Sequence, residues 1–316
     1  MATCTMRQEQ VPGSGRRVGV IGQGSWGLGI RRERRDQEID ALRLGVSLGA
    51  TLIDTAEYYG AGRTEELVGE AIAAVRDQVF LVTKVWPSHA EAGQVRASVL
   101  ASLGRLGCRR VDAVLLHWPT RAVPLAATWR ALADLQAEGL IGAWGLSNFQ
   151  GAWLAAAAAA APVGSTPAFN EVPYSIANRR VEHALLPHAR AHGQLLLAWS
   201  PLGHGGIARW HGYPVLSQLA ARRGVTPHQL ALAFLVAQPG VVAIPRASHP
   251  DHARANAAAG ALQLDPEERA ALEAAFPLGR RTRFPVVPPY DPVFRLIWWM
   301  ERRQHGDGRP ALTPGR

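Results

Sequence analysis

The chain has 316 residues, 47% of them hydrophobic, with a formal net charge of +9 and a pI near 10.6. That is enough apolar material for a full core and too much for a disordered chain. No run approaches the roughly 18–20 apolar residues of a membrane helix, and the opening MATCTMRQEQVPGSGRR lacks the apolar stretch of an export signal, so a cytoplasmic protein with no membrane partner is expected.

The two cysteines, Cys4 and Cys108, are too few for a disulfide framework and match no metal-binding spacing. The basic charge is carried almost entirely by arginine, scattered over helix faces without the interleaved aromatics of a stacking platform. No nucleic-acid partner is therefore expected, although the positive field would speed the approach of an anionic cofactor.

In chain order, VGVIG (18–22) reads as a first strand, followed by the glycine-rich QGSWGLG. A helix begins at Asp36 as N-cap and runs through EIDALRLGVSLG. TLID (51–54) and VFLVTKV (79–85) are strands separated by the helical EELVGEAIAAV (65–75). The helix 95–107 leads to the strand VDAVLLHW (111–118), and the helix 127–139, closed by Gly139 at its C-terminus, leads to the strand IGAWGLS (141–147). The alanine run 153–161 is helical by propensity, TPAFNEV (166–172) is a short strand, and the helix 180–193 must kink or split at Pro187. QLLLAWSPL (194–202), helical segments over 217–238 and VVAIP (241–245) complete the alternation, and a short amphipathic helix is expected over 292–304.

The pattern amounts to eight strand–helix units whose strands are continuously apolar, as parallel strands covered on both faces should be. Eight units in about 270 residues match the size of a (β/α)8 TIM barrel. The expected division is an N-terminal tail (1–17), the barrel (18–284) and a C-terminal loop and tail extension (285–316), partly disordered.

Gly22, Gly24 and Gly27 also match G-x-G-x-x-G, the dinucleotide fingerprint of a Rossmann fold. That motif needs the helix to start at the loop. Here GLGIRRERR intervenes, and the gap from Gly27 to Asp54 is longer than the usual ~20 residues. The barrel reading is preferred.

In a barrel, chemistry gathers at the C-terminal strand ends. Those ends carry Asp54, Lys84, His117 and the pair Ser147-Asn148. Any one of them reads equally as a cap or a hydrogen-bonded core group, but a lysine, a histidine and an aspartate aimed at one mouth do not. Lys84 is the only lysine, so the remaining 33 of the 34 basic residues are arginine. Lysine is a compact charge whose pKa responds to its surroundings. Held charged by Asp54, it would lower the pKa of a nearby tyrosine, Tyr58 or Tyr59, toward working pH. His117 would orient a substrate carbonyl.

DTAEYYG, VTKVWP, LLHWP and GLSNF resemble the signature segments of the aldo-keto reductases, in matching order over residues 18–276. The resemblance implies a TIM-barrel enzyme that reduces aldehydes and ketones with NADP(H), NAD being less favoured. It assigns the catalytic tetrad to Asp54, Tyr59, Lys84 and His117, with Tyr59 as general acid and Tyr58 set aside. GQGSW is similar to bacterial members acting on methylglyoxal and other small aldehydes. It further implies cofactor contacts from Ser25, Trp26 and Asp54, with Ser147, Asn148 and the residue at Glu171 on the nicotinamide carboxamide. Trp199 would stack on the nicotinamide, Ser200, Leu202 and Gly203 would follow the pyrophosphate, and Arg246, His252 and Asn256 would reach the adenosine end.

Three departures stand out. Glu171 replaces the usual glutamine, and an ionised Glu accepts but cannot donate. His252 stands where a second arginine is expected, and Ala247 where a serine is common. Arg246 still favours NADP, because a guanidinium suits a phosphate dianion.

Trp26, Trp86 and Trp118 lie just beyond strand ends and either wall a substrate pocket or pack beneath the loops. His188 and His192 have i,i+4 spacing but no third ligand, so no metal is expected. The partner is a small carbonyl compound, and the chain is expected to be a monomer or weak homo-oligomer. Two other readings are a Schiff-base aldolase using Lys84 and a non-catalytic nicotinamide-binding barrel.

Overall fold

The computed structural model describes residues 6–162 and 165–279. Cys4 and the expected helix over 292–304, with the rest of the C-terminal extension, lie outside the described residues.

The chain opens with an antiparallel hairpin of β1 (Gln8–Gln10) and β2 (Arg17–Gly19). Eight parallel strands follow: β3 (Gln23–Gly24), β4 (Leu52–Asp54), β5 (Phe80–Val85), β6 (Val111–Leu116), β7 (Ile141–Ser147), β8 (Phe169–Pro173), β9 (Leu195–Trp199) and β10 (Val241–Ala243). They pair in sequence order from β3 to β10. Parallel bridges Ile21↔Ala243 and Gly24↔Arg246 join the two ends, closing the (β/α)8 barrel and leaving no free edge.

The stretch 18–22 is not one strand. Val18 belongs to the hairpin, while Ile21 already pairs across the barrel seam. The whole stretch looks continuously apolar because both parts are buried: Val11 and Val18 close the bottom of the barrel interior, and Ile21 packs outward under the helices.

The glycines of the apparent fingerprint serve this packing. A Cβ at Gly22 would lie 2.9 Å from the Leu52 carbonyl and one at Gly24 2.7 Å from that of Ile244, closer than neighbouring strands allow. The following helix, α1 (Arg35–Ser47), starts well past the loop, as the barrel reading requires. Its N-cap is Arg34 with no side-chain cap, and Asp36 sits inside the first turn rather than before it, where its charge still complements the helix dipole.

The outer ring continues with α2 (Arg63–Ile72), α3 (Ala92–Leu106), α4 (Leu125–Ala137), α5 (Ala152–Ala160) and α6 (Leu185–Ala191). It is completed by α7 (Tyr213–Arg222), α8 (Pro227–Val236) and α9 (Pro250–Ala259), which packs on α1, with α10 (Pro266–Ala275) set against α7. The segment around Pro187 does split, but at Ala184, where φ is −147°. Pro187 thus falls in the first turn of α6, where its missing N–H removes no helical bond. The periodicity did not single out α9 and α10. α10 carries a capping box between Asp265 and Glu268.

Inside the barrel, Leu52, Phe80, Val82, Ala113, Leu115, Ala143, Phe169, Leu195, Leu197, Val242 and Ile244 form one buried cluster. The alternate residues Ile53, Leu81, Val114 and Leu196 belong to the outer clusters against the helices. This alternation has a period of two, and it continues upward into the site.

Candidate active site

Two residues above Leu52, Val82 and Phe169 on the same inward face stand Asp54, Lys84 and Glu171. The interior column that is apolar at the floor therefore ends in three charges. Lys84 Nζ donates to Asp54 Oδ1 at 2.5 Å and to the Thr55 carbonyl at 3.2 Å. It lies 3.2 Å from Glu171 Oε2, without the alignment of a hydrogen bond, and that oxygen is buried with no hydrogen-bond partner. The side chains of Lys84, Asp54 and Glu171 are 0%, 3% and 3% exposed.

Tyr59 reaches this cluster from the loop after β4. Lys84 Nζ lies 3.3 Å from its hydroxyl. Gly60, Ala61 and Gly62 follow it with φ of 58°, 54° and 92°, a left-handed run that swings the chain into α2 and leaves Tyr59 over the mouth. The run suits glycine, and a Cβ at Gly60 would strike Ile30.

His117 follows β6, buried, with Nδ1 unpartnered. Its ring lies 5.6 Å from that of Tyr59, edge-on. Trp86 packs edge-on against His117 at 5.1 Å and stacks on Tyr58 at 4.1 Å. Tyr58, which the motif sets aside, is thus part of the aromatic wall. Behind it Glu57 accepts the Trp86 backbone N–H at 2.6 Å and pairs with His89 Nδ1 at 2.9 Å and the Ser98 hydroxyl. A charged residue in the middle of DTAEYYG was the available signal for that support.

Burial lifts the carboxyls of Asp54 and Glu171, Glu171 well above the usual carboxylate range, because Lys84 offsets the cost only in part and each carboxyl crowds the other. Burial alone would lower the Lys84 ammonium, but Asp54 and Glu171 outweigh it and hold the amine charged. His117 is pushed well below the ordinary histidine range by burial and by Lys84, and is neutral. The Tyr59 phenol is the correction. Lys84 does pull it down, but burial above all, with the two carboxyls, raises it above its ordinary value.

The remaining expected residues divide. Ser25 is fully buried, its hydroxyl donating to the Asp54 carbonyl at 2.7 Å, so it props the strand end. Ser147 and Glu171 sit side by side in register on β7 and β8. Asn148, at φ 66°, is a hub: its Nδ2 donates to the His117 carbonyl and to Ser147 Oγ, and its Oδ1 accepts from Trp199 Nε1 at 3.1 Å. Trp199, the last residue of β9, is half-buried.

Ser200 and His204 bond at 3.0 Å in a left-handed loop that also holds Leu202 and Gly203. His204 meets Trp26, which is 46% exposed, edge-on at 5.8 Å, a partner the sequence did not reveal. Arg246 is exposed, and its guanidinium reaches the Trp26 carbonyl at 3.5 Å. His252 and Asn256 lie on α9, and Trp118 is half-buried beside the mouth. The loops after β3, β9 and β10 thus meet on one side of the charged cluster. His188 and His192 stack at 4.0 Å, and no group of three metal-ligating side chains occurs among the described residues.

A family model described as the aldo/keto reductase family matches residues 20–276. The chain belongs to the aldo/keto reductase family. It is 36% identical to the methylglyoxal reductase YeaE of Escherichia coli over 281 residues, 86% of this chain and 96% of that protein.

An aldo/keto reductase from Klebsiella pneumoniae, solved with NADPH, superposes with a TM-score of 0.83 at 39% identity, covering 88% of this chain and 99% of that one. A Klebsiella pneumoniae structure with NADP and acetate gives 0.80 at 38% identity, covering 85% and 95%. In this aldo/keto reductase the donor set at the mouth fits a nicotinamide dinucleotide phosphate. Buried polar atoms of Glu171 and His117 lack partners at the mouth, Trp199 offers a half-buried ring, and Arg246 an exposed cation.

Proposed function

We propose that this aldo/keto reductase reduces small aldehydes and ketones to alcohols with NADPH, Tyr59 being the general acid. The observation that carries the reading is the Lys84 ammonium, 2.5 Å from Asp54 and 3.3 Å from the Tyr59 hydroxyl. The similarity to a methylglyoxal reductase supports small aldehydes as substrates, and the NADP- and NADPH-bound relatives support the cofactor. Arg246 favours the 2′-phosphate of NADP over NAD.

When bound, reduced nicotinamide supplies a hydride, and the substrate carbonyl carbon accepts it. The π pair of the carbonyl moves to oxygen, and the Tyr59 O–H proton passes to that oxygen. The phenol's raised pKa keeps this proton in place until the alkoxide, a far stronger base, forms. Lys84 then stabilises the phenolate left behind, because its ammonium is fixed and dry before the reaction begins. His117, neutral and close to Tyr59, presents a ring N–H to the carbonyl oxygen. Ser147, Asn148, Glu171 and Trp199 would hold the nicotinamide, Ser200, Leu202 and Gly203 the pyrophosphate, and Arg246, His252 and Asn256 the adenosine end. The aromatic residues Trp26, Trp86 and Trp118 would flank the substrate.

The aldolase reading needs a neutral Lys84 amine as nucleophile. The Asp54 carboxylate, 2.5 Å away, holds the amine charged, which argues against it. Among the described residues no helix is long and apolar enough to cross a membrane, and we place the protein in the cytoplasm as a monomer or weak homo-oligomer.

The test is NADPH oxidation over small dicarbonyls, aromatic aldehydes and sugars, repeated with NADH. Tyr59→Phe is expected to lower kcat by about 10²–10⁴-fold while NADPH still binds. Parental turnover in Tyr59→Phe would remove the phenol from the reaction, and tight NADPH binding with no turnover across the panel would establish the non-catalytic reading.

A further inference from the structure

Three buried charges meet at the barrel mouth, and they do not balance. Asp54 from β4 and Glu171 from β8 face one ammonium, Lys84 from β5. Asp54 and Lys84 are the titratable groups that act on Glu171, which acts in turn on Tyr59 from the loop after β4. The strands flanking Glu171 present Ser147 and Leu197 in register, neither of which titrates at working pH. His117 faces Lys84 and is neutral. No further cation among these groups compensates the second carboxylate, and burial makes an uncompensated one costly.

The cluster therefore binds one extra proton, and geometry says where it sits. Asp54 Oδ1 accepts an aligned hydrogen bond from the ammonium at 2.5 Å, which favours its ionised form. Glu171 Oε2 lies 3.2 Å from the same nitrogen without that alignment and has no hydrogen-bond partner.

We infer that Glu171 is a neutral carboxylic acid at pH 7, and that its O–H supplies to a bound nicotinamide carboxamide the hydrogen bond an amide side chain would otherwise donate. The second clause rests on the proposed reading of the mouth as a nicotinamide site; the first does not. A carboxylic acid is one donor and one acceptor on the same two positions as the carboxamide of glutamine. Glutamate can thus stand at this position without losing the donor, but only while it keeps its proton. As pH rises and Glu171 ionises, the donor is lost and a second negative charge enters the dry site. Glu171 is therefore a cofactor-positioning residue whose function has an alkaline limit.

Two measurements test this on the full-length protein. Infrared spectra of the cofactor-free chain at pH 7 should show the C=O band of a buried protonated carboxyl in the wild-type minus Glu171→Gln difference. The same band should disappear in Asp54→Asn, where one carboxylate matches one ammonium and Glu171 ionises. That variant carries the test if Glu171→Gln does not fold. Absence of the band from wild type, or its survival in Asp54→Asn, overturns the charge argument.

NADPH affinity should fall in wild type at alkaline pH, by up to tenfold per unit above the Glu171 ionisation, and should lose that dependence in Glu171→Gln. A Glu171→Gln profile parallel to wild type, or tenfold tighter NADPH binding by this variant at pH 7, overturns the donor role. The outcomes separate from those of the reductase reading. A missing band with normal NADPH turnover sinks only the neutral acid, whereas a clear band without NADPH binding sinks the nicotinamide site.

Discussion

The two ends of this barrel each hold an ion cluster, and they handle charge in opposite ways. At the base, Asp112 takes Arg16 Nη1 on one oxygen at 2.6 Å. On the other it takes the Leu81 backbone N–H and Arg76 Nη2, both at 2.9 Å. Its carboxylate is matched by two cations that are 34% and 22% exposed. At the mouth, two carboxyls share one cation that is 0% exposed. Oxygen and nitrogen acceptors are left bare there, on Glu171 and His117. The base matches its carboxylate with cations and so holds the hairpin and sheet together, although Arg76 Nε is left without a partner. The mouth leaves its charges unsatisfied, and that is where a ligand has something to gain.

The sharpest way to break this comparison is Lys84→Met. Removing the sole cation strands two carboxyls in a dry site, at an expected cost of about 3–5 kcal/mol, and takes away the partner of the Tyr59 phenol, with an expected kcat loss of about 10²–10⁴-fold. Urea unfolding and steady-state kinetics read both. A stable, active Lys84→Met would mean that the mouth is not an electrostatic site.

Glu171→Gln sharpens the same point through pH. The Glu171 carboxyl is raised above its ordinary 4.5 in the folded chain, so below that pH both states are protonated and it costs nothing. As pH climbs from 4.5 toward the folded value, the unfolded chain ionises and the folded one does not. Stability is lost over that window, by up to about 1.4 kcal/mol per pH unit. Replacing Glu171 by Gln removes the loss, so the thermal midpoint should exceed that of wild type at pH 8 and converge with it near pH 4. A gap that widens toward acid would reverse the sign and disprove the burial argument.

At the base, Asp112→Ala should cost about 1–3 kcal/mol, seen as a lower urea midpoint, with kcat/KM unchanged, because its cations can turn to water. A larger effect on activity than on stability would dissolve the contrast between the ends. The smallest effect is expected of Glu138→Gln. Glu138 and Arg96 pair at 2.6 Å on the outside of the helical ring, and exposed pairs of this kind contribute little. No shift in the thermal midpoint should be measurable at physiological salt.

Much of this is legible in the amino-acid sequence. Strand and helix alternation showed the barrel, and polar residues ending apolar runs marked Asp54, Lys84, His117 and Ser147-Asn148. The hairpin escaped because Val18 and Ile21 are buried in different layers yet form one apolar run. Glu171 was visible as a departure from a motif, and its position two residues above Phe169 follows the strand period. Nothing local, however, shows that it converges on Lys84 from three strands away. The same convergence reversed the expected direction for Tyr59. A lysine near a phenol lowers its pKa, but burial of the phenol, with two carboxyls beside it, outweighs that pull, and burial is a matter of tertiary packing. Asn148 and Trp199 are 51 residues apart, and only the closed barrel makes one the hydrogen-bond partner of the other.

The amino-acid order by itself determined the period of two that lines the barrel, the eight-fold alternation, and which chemical groups stand at the strand ends, because these depend on neighbours along the chain. Closure of the sheet decided the rest: that three ionisable groups share one dry volume, that two carboxyls there have one cation between them, and that the phenol is held protonated. Those are properties of separation and solvent access, and they exist only once distant strands are brought within a few ångströms of each other.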